Sequence, residues 1–349
     1  MTTEKTRAKA GAAASGDLTL KDIARLAGVS ISTVSRVINR RDIVAPSKQK
    51  AVEKVLKRFD YIPNNAARVL ISGKSMTIGL IVPTIANPLF APTIEGAEET
   101  LRASGYGVLV ACSNRDPDRE LEQTKTMLER GVDGMILTGP NHRQEMLTLL
   151  RSKGVPIVFQ DCSRAYPGSV SIGMQDAAAM ALAIDTLVER GHSRIAVLTG
   201  PTENTPPVAE RLLGAKQRLA RHAIFVTSRD VAETPDYEAA TAREAVRKLL
   251  KNRPRYTAIA CTGDILALGA IMAIREAGLS VPEDISIIGC SDSVMAQYVD
   301  PPLTTIRLPF KRMGELAAEQ LLRCLNETRL SGLSLLDFHL MDRQSVRSV

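Results

Sequence analysis

The stretch from Leu18 to Val37, LTLKDIARLAGVSISTVSRV, decides how the front of this chain folds. Leu20, Ile23, Ala24 and Ala27 recur at helical spacing, stop at Gly28, and the pattern resumes through Val29, Thr33, Val34 and Val37. Two short helices joined at a glycine are predicted, a helix-turn-helix. Thr19 stands where an N-cap belongs, with Asp22 three residues on, and Ser30 stands in the same place before the second helix. The second helix turns Ile31, Ser32, Ser35 and Arg36 outward. Short hydroxyls and one arginine suit a major groove, where arginine reads guanine and small side chains meet phosphates and thymine methyls. The candidate DNA contacts in this stretch are Thr19, Leu20, Ser30, Ile31, Ser32, Thr33, Ser35, Arg36 and Asn39.

Charge supports that assignment once it is divided along the chain. Residues 1–76 carry 15 Lys and Arg against 6 Asp and Glu, while the remainder carries 30 against 32. Excess positive charge therefore belongs to the front end alone, as phosphate-backbone binding by one domain requires. With 349 residues, the chain exceeds the size of a single core, so two or three domains are expected. Residues 1–17 mix charge with Ala, Gly and Ser and read as a disordered basic tail, not a signal peptide. No apolar run approaches ~18 residues, which argues against a membrane span. Cys112, Cys162, Cys261, Cys290 and Cys324 are widely spaced and odd in number, the pattern of buried free thiols in a reducing cytoplasm, and no metal site is expected.

Beyond the recognition helix, Pro46 opens a third helix reaching Phe59, with Val52, Val55, Leu56 and Phe59 on one face. Pro63 ends the helical pattern at Ile62, and Asn64 to Leu70 has length for two turns of helix before Ser72-Gly73-Lys74-Ser75. From Thr77 short apolar runs alternate with helical patterns. Ile78–Val82, Val108–Ala111, Gly134–Leu137 and Pro156–Phe159 form one series, and Val170–Ile172, Ile195–Leu198, Ala258–Cys261 and Ile285–Ile288 a second. Such alternation predicts doubly wound parallel sheets, and two halves make a cleft.

AGVSISTVSRV, DYIPNNAARVL and IGLIVP, in that order, closely resemble the LacI/GalR (lactose-repressor) family of bacterial transcription regulators, and the likeness runs from about Leu18 to Leu336. The resemblance implies an N-terminal all-α helix-turn-helix DNA-binding domain followed by an α/β two-subdomain effector domain of the type I periplasmic-binding-protein kind. The implied boundaries are 18–62 for the DNA reader, 63–76 for a hinge helix and linker, and 77–349 for the effector-binding and dimerisation domain. Within the last, one subdomain takes about 77–173 and 305–335, the other about 174–304 and 336–349, with Pro301 to Ile306 as a crossover. Tyr61 and the hinge residues Asn64, Ala67 and Leu70 join the DNA contacts, Leu70 by position being the wedge that enters the minor groove. The implied partners are double-stranded operator DNA, a small effector (a sugar, sugar acid or related compound), and a second copy of the chain in a homodimer; no cofactor or membrane partner is implied. The tail Met341 to Val349 is too short and polar for a heptad helix, so dimers are expected.

Ligands of open α/β sheets sit beyond the carboxyl ends of strands. That rule and the resemblance together select Phe90, Gln160, Asp161, Arg211, Asp264, Ser291 and Asp292 as effector-binding candidates. The chain departs from the family in several places. Ala45 and Lys48-Gln49 replace a capping residue and a Thr-Arg pair, Gly263 replaces an Asn before Asp264, and Cys290-Ser291-Asp292 lacks an aromatic and one acid. There is no Trp, and Phe and Tyr number six each, so an aromatic platform beneath a sugar ring is scarce. These losses favour a small acidic or phosphorylated effector facing Arg211, whose fork suits such groups.

The competing reading is a doubly wound α/β enzyme acting on a small metabolite. It would need a phosphate loop or a nucleophile with its base, and the sequence holds no GxGxxG, GxxxxGK[ST] or GxSxG. His142, His192, His222 and His339 are scattered, so no catalytic residue is assigned. A purely architectural DNA-binding protein would not need about 270 residues of two-lobed ligand fold.

Overall fold

A computed structural model describes residues 18–39, 43–59, 61, 73–251, 256–327 and 330–349. The chain divides into two compact units, with the boundary between Ser75 and Met76. Asn64, Ala67 and Leu70, with the hinge helix assigned to them, lie outside the described residues.

The first unit is built on α1 (Leu20–Ala27), α2 (Ile31–Asn39) and α3 (Pro46–Arg58). Thr19 and Asp22 form a reciprocal capping box at the start of α1, and Gly28 closes it in the left-handed conformation that its missing Cβ permits. Ser30 Oγ accepts the Thr33 amide at 3.2 Å and so caps α2. No side chain caps α3: Ala45 makes no such bond, although Pro46 fits the first turn and Gln49 Nε2 donates to the Val44 carbonyl at 2.7 Å. The helices share one core of Ile23, Ala24, Val34, Val37, Val44 and Val52. Tyr61 packs against it.

The second unit carries two six-stranded sheets. The first runs β2 (Gly107–Cys112), β1 (Thr77–Val82), β3 (Gly134–Thr138), β4 (Ile157–Gln160), β5 (Val170–Met174) and β11 (Gly332–Leu336), all parallel. The second runs β7 (Val231–Glu233), β6 (Ile195–Thr199), β8 (Ala258–Cys261), β9 (Ser286–Ser291), β10 (Thr304–Arg307) and β12 (His339–Met341), with β12 antiparallel to β10. In each sheet the strand order reverses once, between β1 and β3 and between β6 and β8. That arrangement opens a crevice at the strands' carboxyl ends.

Two sequence expectations are corrected by this pairing. Val170–Met174, listed with the second series of runs although the implied boundary at about 173 puts it in the first subdomain, is a strand of the first sheet, since Val170 pairs with both Val158 and Gly332. Thr304–Arg307, placed at the return into the first subdomain from residue 305, pairs with β9 and belongs to the second sheet. The chain crosses back only after Arg307 and leaves again between Leu336 and His339. Edge strand β7 was not foreseen; three residues of mixed exposure give too short a pattern to read.

Helices α4 (Ala91–Ala103), α5 (Pro117–Glu129), α6 (Gln144–Ser152) and α11 (Phe310–Asn326) cover the first sheet; α7 (Asp176–Glu189), α8 (Pro206–Arg221), α9 (Ala239–Lys251) and α10 (Asp264–Glu276) cover the second. A continuous apolar cluster passes from Ile78, Leu80 and Ile136 through Met180 and Ile184 to Ile195, Val197 and Ile288. Helices α4 and α11 pack backbone to backbone: a Cβ on Gly314 would overlap the Thr93 carbonyl oxygen and one on Gly96 the Lys311 carbonyl oxygen. Backbone cannot yield as a side chain can. Gly314→Ala is therefore expected to cost about 2 kcal/mol and lower the melting temperature by several degrees, whereas Gly131→Ala, with open space around it, pays only for its left-handed φ. Calorimetry on the two variants checks this.

Cys162, Cys261 and Cys290 are buried free thiols as expected, but Cys112 and Cys324 are only half-buried.

Candidate functional site

On α2 the buried face, Val34 and Val37, fixes which residues point away. Ile31, Ser32 and Arg36 are exposed, with Ile31 at 48% despite its apolar side chain, and Thr33 and Ser35 are half-covered beside them. An exposed isoleucine next to hydroxyls and a guanidinium forms a mixed surface of the kind that meets thymine methyls and base edges. Not every candidate lies on that face. Thr19 and Ser30 use their hydroxyls as caps, accepting from the Asp22 and Thr33 amides, and Leu20 and Tyr61 pack on the small core, so their part is to hold the reading helix in place. The α2 backbone extends through Asn39.

The second unit gathers its charged groups around Arg211 on α8. Burial alone would lower the pKa of this side chain, 3% exposed, yet Asp176 beside it holds it above the usual value. Nε donates to Asp176 Oδ1 at 2.6 Å and Nη1 to the Thr262 carbonyl at 3.0 Å. Asp161, just past β4, is also buried; burial and the nearby Asp176 push its pKa up to about 6 against the pull of Arg211 and Arg115. Its Oδ1 has no hydrogen-bond partner. Gln160 beside it spends its amide nitrogen on Thr138 Oγ1 at 2.9 Å and leaves Oε1 buried and unpartnered.

Sequence reasoning missed Arg115 and Tyr237. Arg115 lies past the end of β2, where the strand-end rule that selected Asp161 also points, and its guanidinium has no hydrogen bond or ion pair among the described residues while feeling Asp161, Tyr237 and Arg211. Tyr237 occupies the crevice of the second sheet, its ring against Gly200 and Gly263, where a Cβ would press on it. Its hydroxyl is buried beside Thr262 without closing a hydrogen bond, and burial pushes its pKa up to about 12. The departure at Gly263 thus has a physical reading: losing a side chain there makes room for an aromatic ring. This corrects the expectation of a site poor in aromatic surface.

Arg115, Asp161 and Asn204 line a recess of about 50 Å³, and Arg211, Tyr237, Asp264, Ser291 and Asp292 line an adjoining cavity of about 470 Å³. Arg115, Asp161, Asn204, Ser291 and Asp292 all adopt positive φ, which is costly for residues other than glycine and clusters where geometry serves function. Two candidates that line the cavity are also tied into the protein. Asp264 Oδ1 accepts from Thr305 Oγ1 and Oδ2 from the Ser293 amide, each at 2.6 Å, while Asp292 is clamped by Arg307 and Arg343 at 2.7 Å each. Phe90 is 1% exposed and buried beneath the cavity, whose wall is formed instead by Asn87, Pro88 and Leu89.

The model of the bacterial regulatory proteins of the lacI family matches residues 19–64, and that of a periplasmic binding protein-like domain matches residues 184–346. The chain is 35% identical over 312 residues to the HTH-type transcriptional repressor PurR of Aliivibrio fischeri, covering 88% of this chain and 92% of the relative. The chain belongs to the LacI family. Another LacI-family member, the ribose operon repressor of Escherichia coli, is 33% identical over 315 residues, covering 89% and 94% of the two chains. Among solved structures, the lac repressor dimer bound to operator and the anti-inducer ONPF superposes with a TM-score of 0.85 at 28% identity, covering 95% of this chain and 100% of that one. The LacI-family relatives are transcriptional repressors, so the helix-turn-helix unit makes this chain a DNA-binding regulator, not a metabolic enzyme.

Proposed function

We propose that this LacI-family regulator represses transcription as a homodimer on a pseudo-palindromic operator, read through Ile31, Ser32, Ser35 and Arg36, and that a small metabolite in the cleft around Asp161 and Arg211 controls it. The observation that carries the first half is the exposed Ile31-Ser32-Arg36 face of α2, set opposite the buried Val34 and Val37 that fix the helix on its core. For the second half it is the pair of buried, unpartnered polar atoms of Asp161 and Tyr237, each lining a cavity beyond the strands' carboxyl ends. Unmet buried polar groups cost stability, and a ligand's hydroxyls can satisfy them. Apolar side chains left uncovered on both lobes, Val110 at 43%, Met272 at 46% and Tyr298 at 72%, support pairing with a second copy. Residues 63–76 would then act as hinge and linker between the 18–62 reader and the 77–349 sensor.

A cytoplasmic location, with the protein on the nucleoid when operator-bound, follows from the DNA target and from five free thiols. No described helix is long and apolar enough to cross a membrane. Effector and operator binding are coupled, so each must change the other's affinity by the same factor.

Selection of bound sequences from a random duplex pool, with and without metabolites, tests the reading. Arg36→Ala should weaken operator binding by about 1–3 kcal/mol and relax preference at one base position. An unchanged sequence logo would remove Arg36 from the base contacts.

A further inference from the structure

The chain passes between the two lobes after Met174, after Arg307 and between Leu336 and His339, and each passage is tied to the second lobe by an ion pair. Asp176 opens α7 just past the first passage and holds Arg211. Asp292 serves the other two. Its Oδ2 accepts from Nε of Arg307, the last residue of β10, and its Oδ1 from Nη2 of Arg343, just beyond β12, each at 2.7 Å. Asp292 and Arg307 also line the 470 Å³ cavity. We infer that Asp292 and Arg307 are positioning residues of the regulator: they tie the cavity wall to the second passage, and untying them changes operator affinity with no effector present. This rests on the reading that the cleft controls operator binding.

The second passage leads straight into the first lobe. The Leu308 amide reaches the Ser291 carbonyl at only 3.4 Å, so the Arg307 side chain is the firmer hold on the second lobe. Phe310 then opens α11. Its carbonyl accepts from Thr93 Oγ1 of α4 at 3.0 Å, and three residues on the Met313 sulfur accepts from the Asp161 amide at 3.1 Å. With backbone against backbone at Gly96 and Gly314, α4 and α11 must shift as one body. The first lobe is also the one the chain enters at Thr77 from the linker. A displacement at Arg307 therefore has a continuous course of contacts from the cavity to the lobe joined to the DNA reader. The two arginines differ in what holds them without Asp292. Arg343, its side chain 17% exposed, keeps the Leu303 carbonyl at 2.7 Å, whereas Arg307, 51% exposed, pairs with Asp292 alone among the described residues. Loss of the carboxylate frees the second passage first, because water accepts the Arg307 guanidinium at little cost.

Fluorescence anisotropy on the duplex selected from the random pool, with no metabolite added, tests the tie. Asp292→Asn and Arg307→Ala are each expected to change the operator Kd by about threefold or more, in the same direction. The two substitutions shift net charge in opposite senses, so a general electrostatic effect on DNA would move them apart. Both undo one tie, so the double variant should lie within about twofold of the larger single effect, while Arg307→Lys, which keeps a donor for Asp292, should stay within about twofold of wild type. A role confined to stability would lower the melting temperature and leave Kd where it was. Hydrogen exchange gives a reading free of DNA: Arg307→Ala should speed exchange across residues 304–313 and leave β1 and β3 unchanged. Should Asp292→Asn fail to fold, Arg307→Ala with its Arg307→Lys control carries both measurements. Variants that match the wild type, shift in opposite directions or add in the double, or unchanged exchange at 304–313, would overturn the proposal. A wild type that selects no duplex would bring down the regulator reading and this proposal together, whereas an operator-binding wild type with indifferent variants removes the tie alone.

Discussion

Arg211→Ala is expected to destabilise the protein by about 3–5 kcal/mol, the cost of breaking a buried ion pair from one side. Asp176 is 3% exposed and its Oδ1 lies 2.6 Å from the Arg211 Nε. Once the guanidinium is gone, that carboxylate remains buried with Asp161 and Glu210 as neighbours of like charge. The Thr262 carbonyl also loses its Nη1 donor. Asp176→Asn alone is the milder lesion, because the charge left behind, Arg211, still has Asp161 nearby. In the double variant Arg211→Ala with Asp176→Asn the buried charge is removed, so a recovery of 1 kcal/mol or more relative to Arg211→Ala alone is expected. Urea unfolding of the wild type and three variants measures each corner of the cycle. A loss below about 1 kcal/mol for Arg211→Ala would mean that solvent reaches Asp176, and the central role given to Arg211 would go with it.

This pair shows where sequence reading reached and where it stopped. The helix-turn-helix was legible because capping, glycine punctuation and helical spacing are all local, and the capping box, the Ser30 cap and the buried face of α2 are in the structure. The sheets were legible because buried parallel strands read as short apolar runs, but their membership was not. Both Val170–Met174 and Thr304–Arg307 lie beside a change of lobe, where an apolar run carries no mark of the sheet it joins, and pairing puts the first in the first sheet and the second in the second. Arg211 was found by resemblance, yet its partner Asp176 was invisible, since they are 35 residues apart and meet only through the packing of α7 on α8. Tyr237 escaped for a related reason. An apparent loss at Gly263 was visible, but not the ring that takes up the space. Asp264 and Asp292, selected by the strand-end rule and the family pattern, do line the cavity, but their hydrogen bonds from Thr305, Arg307 and Arg343 come from distant sequence and could not be read from it.

Asp161→Asn is expected to stabilise the protein at pH 7.5, the opposite of what most substitutions at buried polar residues do. Burial and the neighbouring Asp176 raise its pKa from 3.8 to about 6, so at neutral pH the native state holds a carboxylate that would be more stable protonated. The sign follows from proton uptake. Between the two values the folded chain binds a proton that the unfolded chain has released, so this group's contribution is fully present below about pH 4 and is lost as pH rises through 6. The full difference corresponds to about 3 kcal/mol, and an asparagine, neutral at every pH, should recover about 1–3 kcal/mol of it above pH 7. The gain should therefore shrink on acidification and vanish near pH 4.5, where Asp161 in the wild type is itself protonated. Melting temperatures of the two proteins across that range supply the test. A variant no more stable than wild type at pH 7.5, or one whose advantage persists at pH 4.5, would show that Asp161 is not held in an unfavourable charge state.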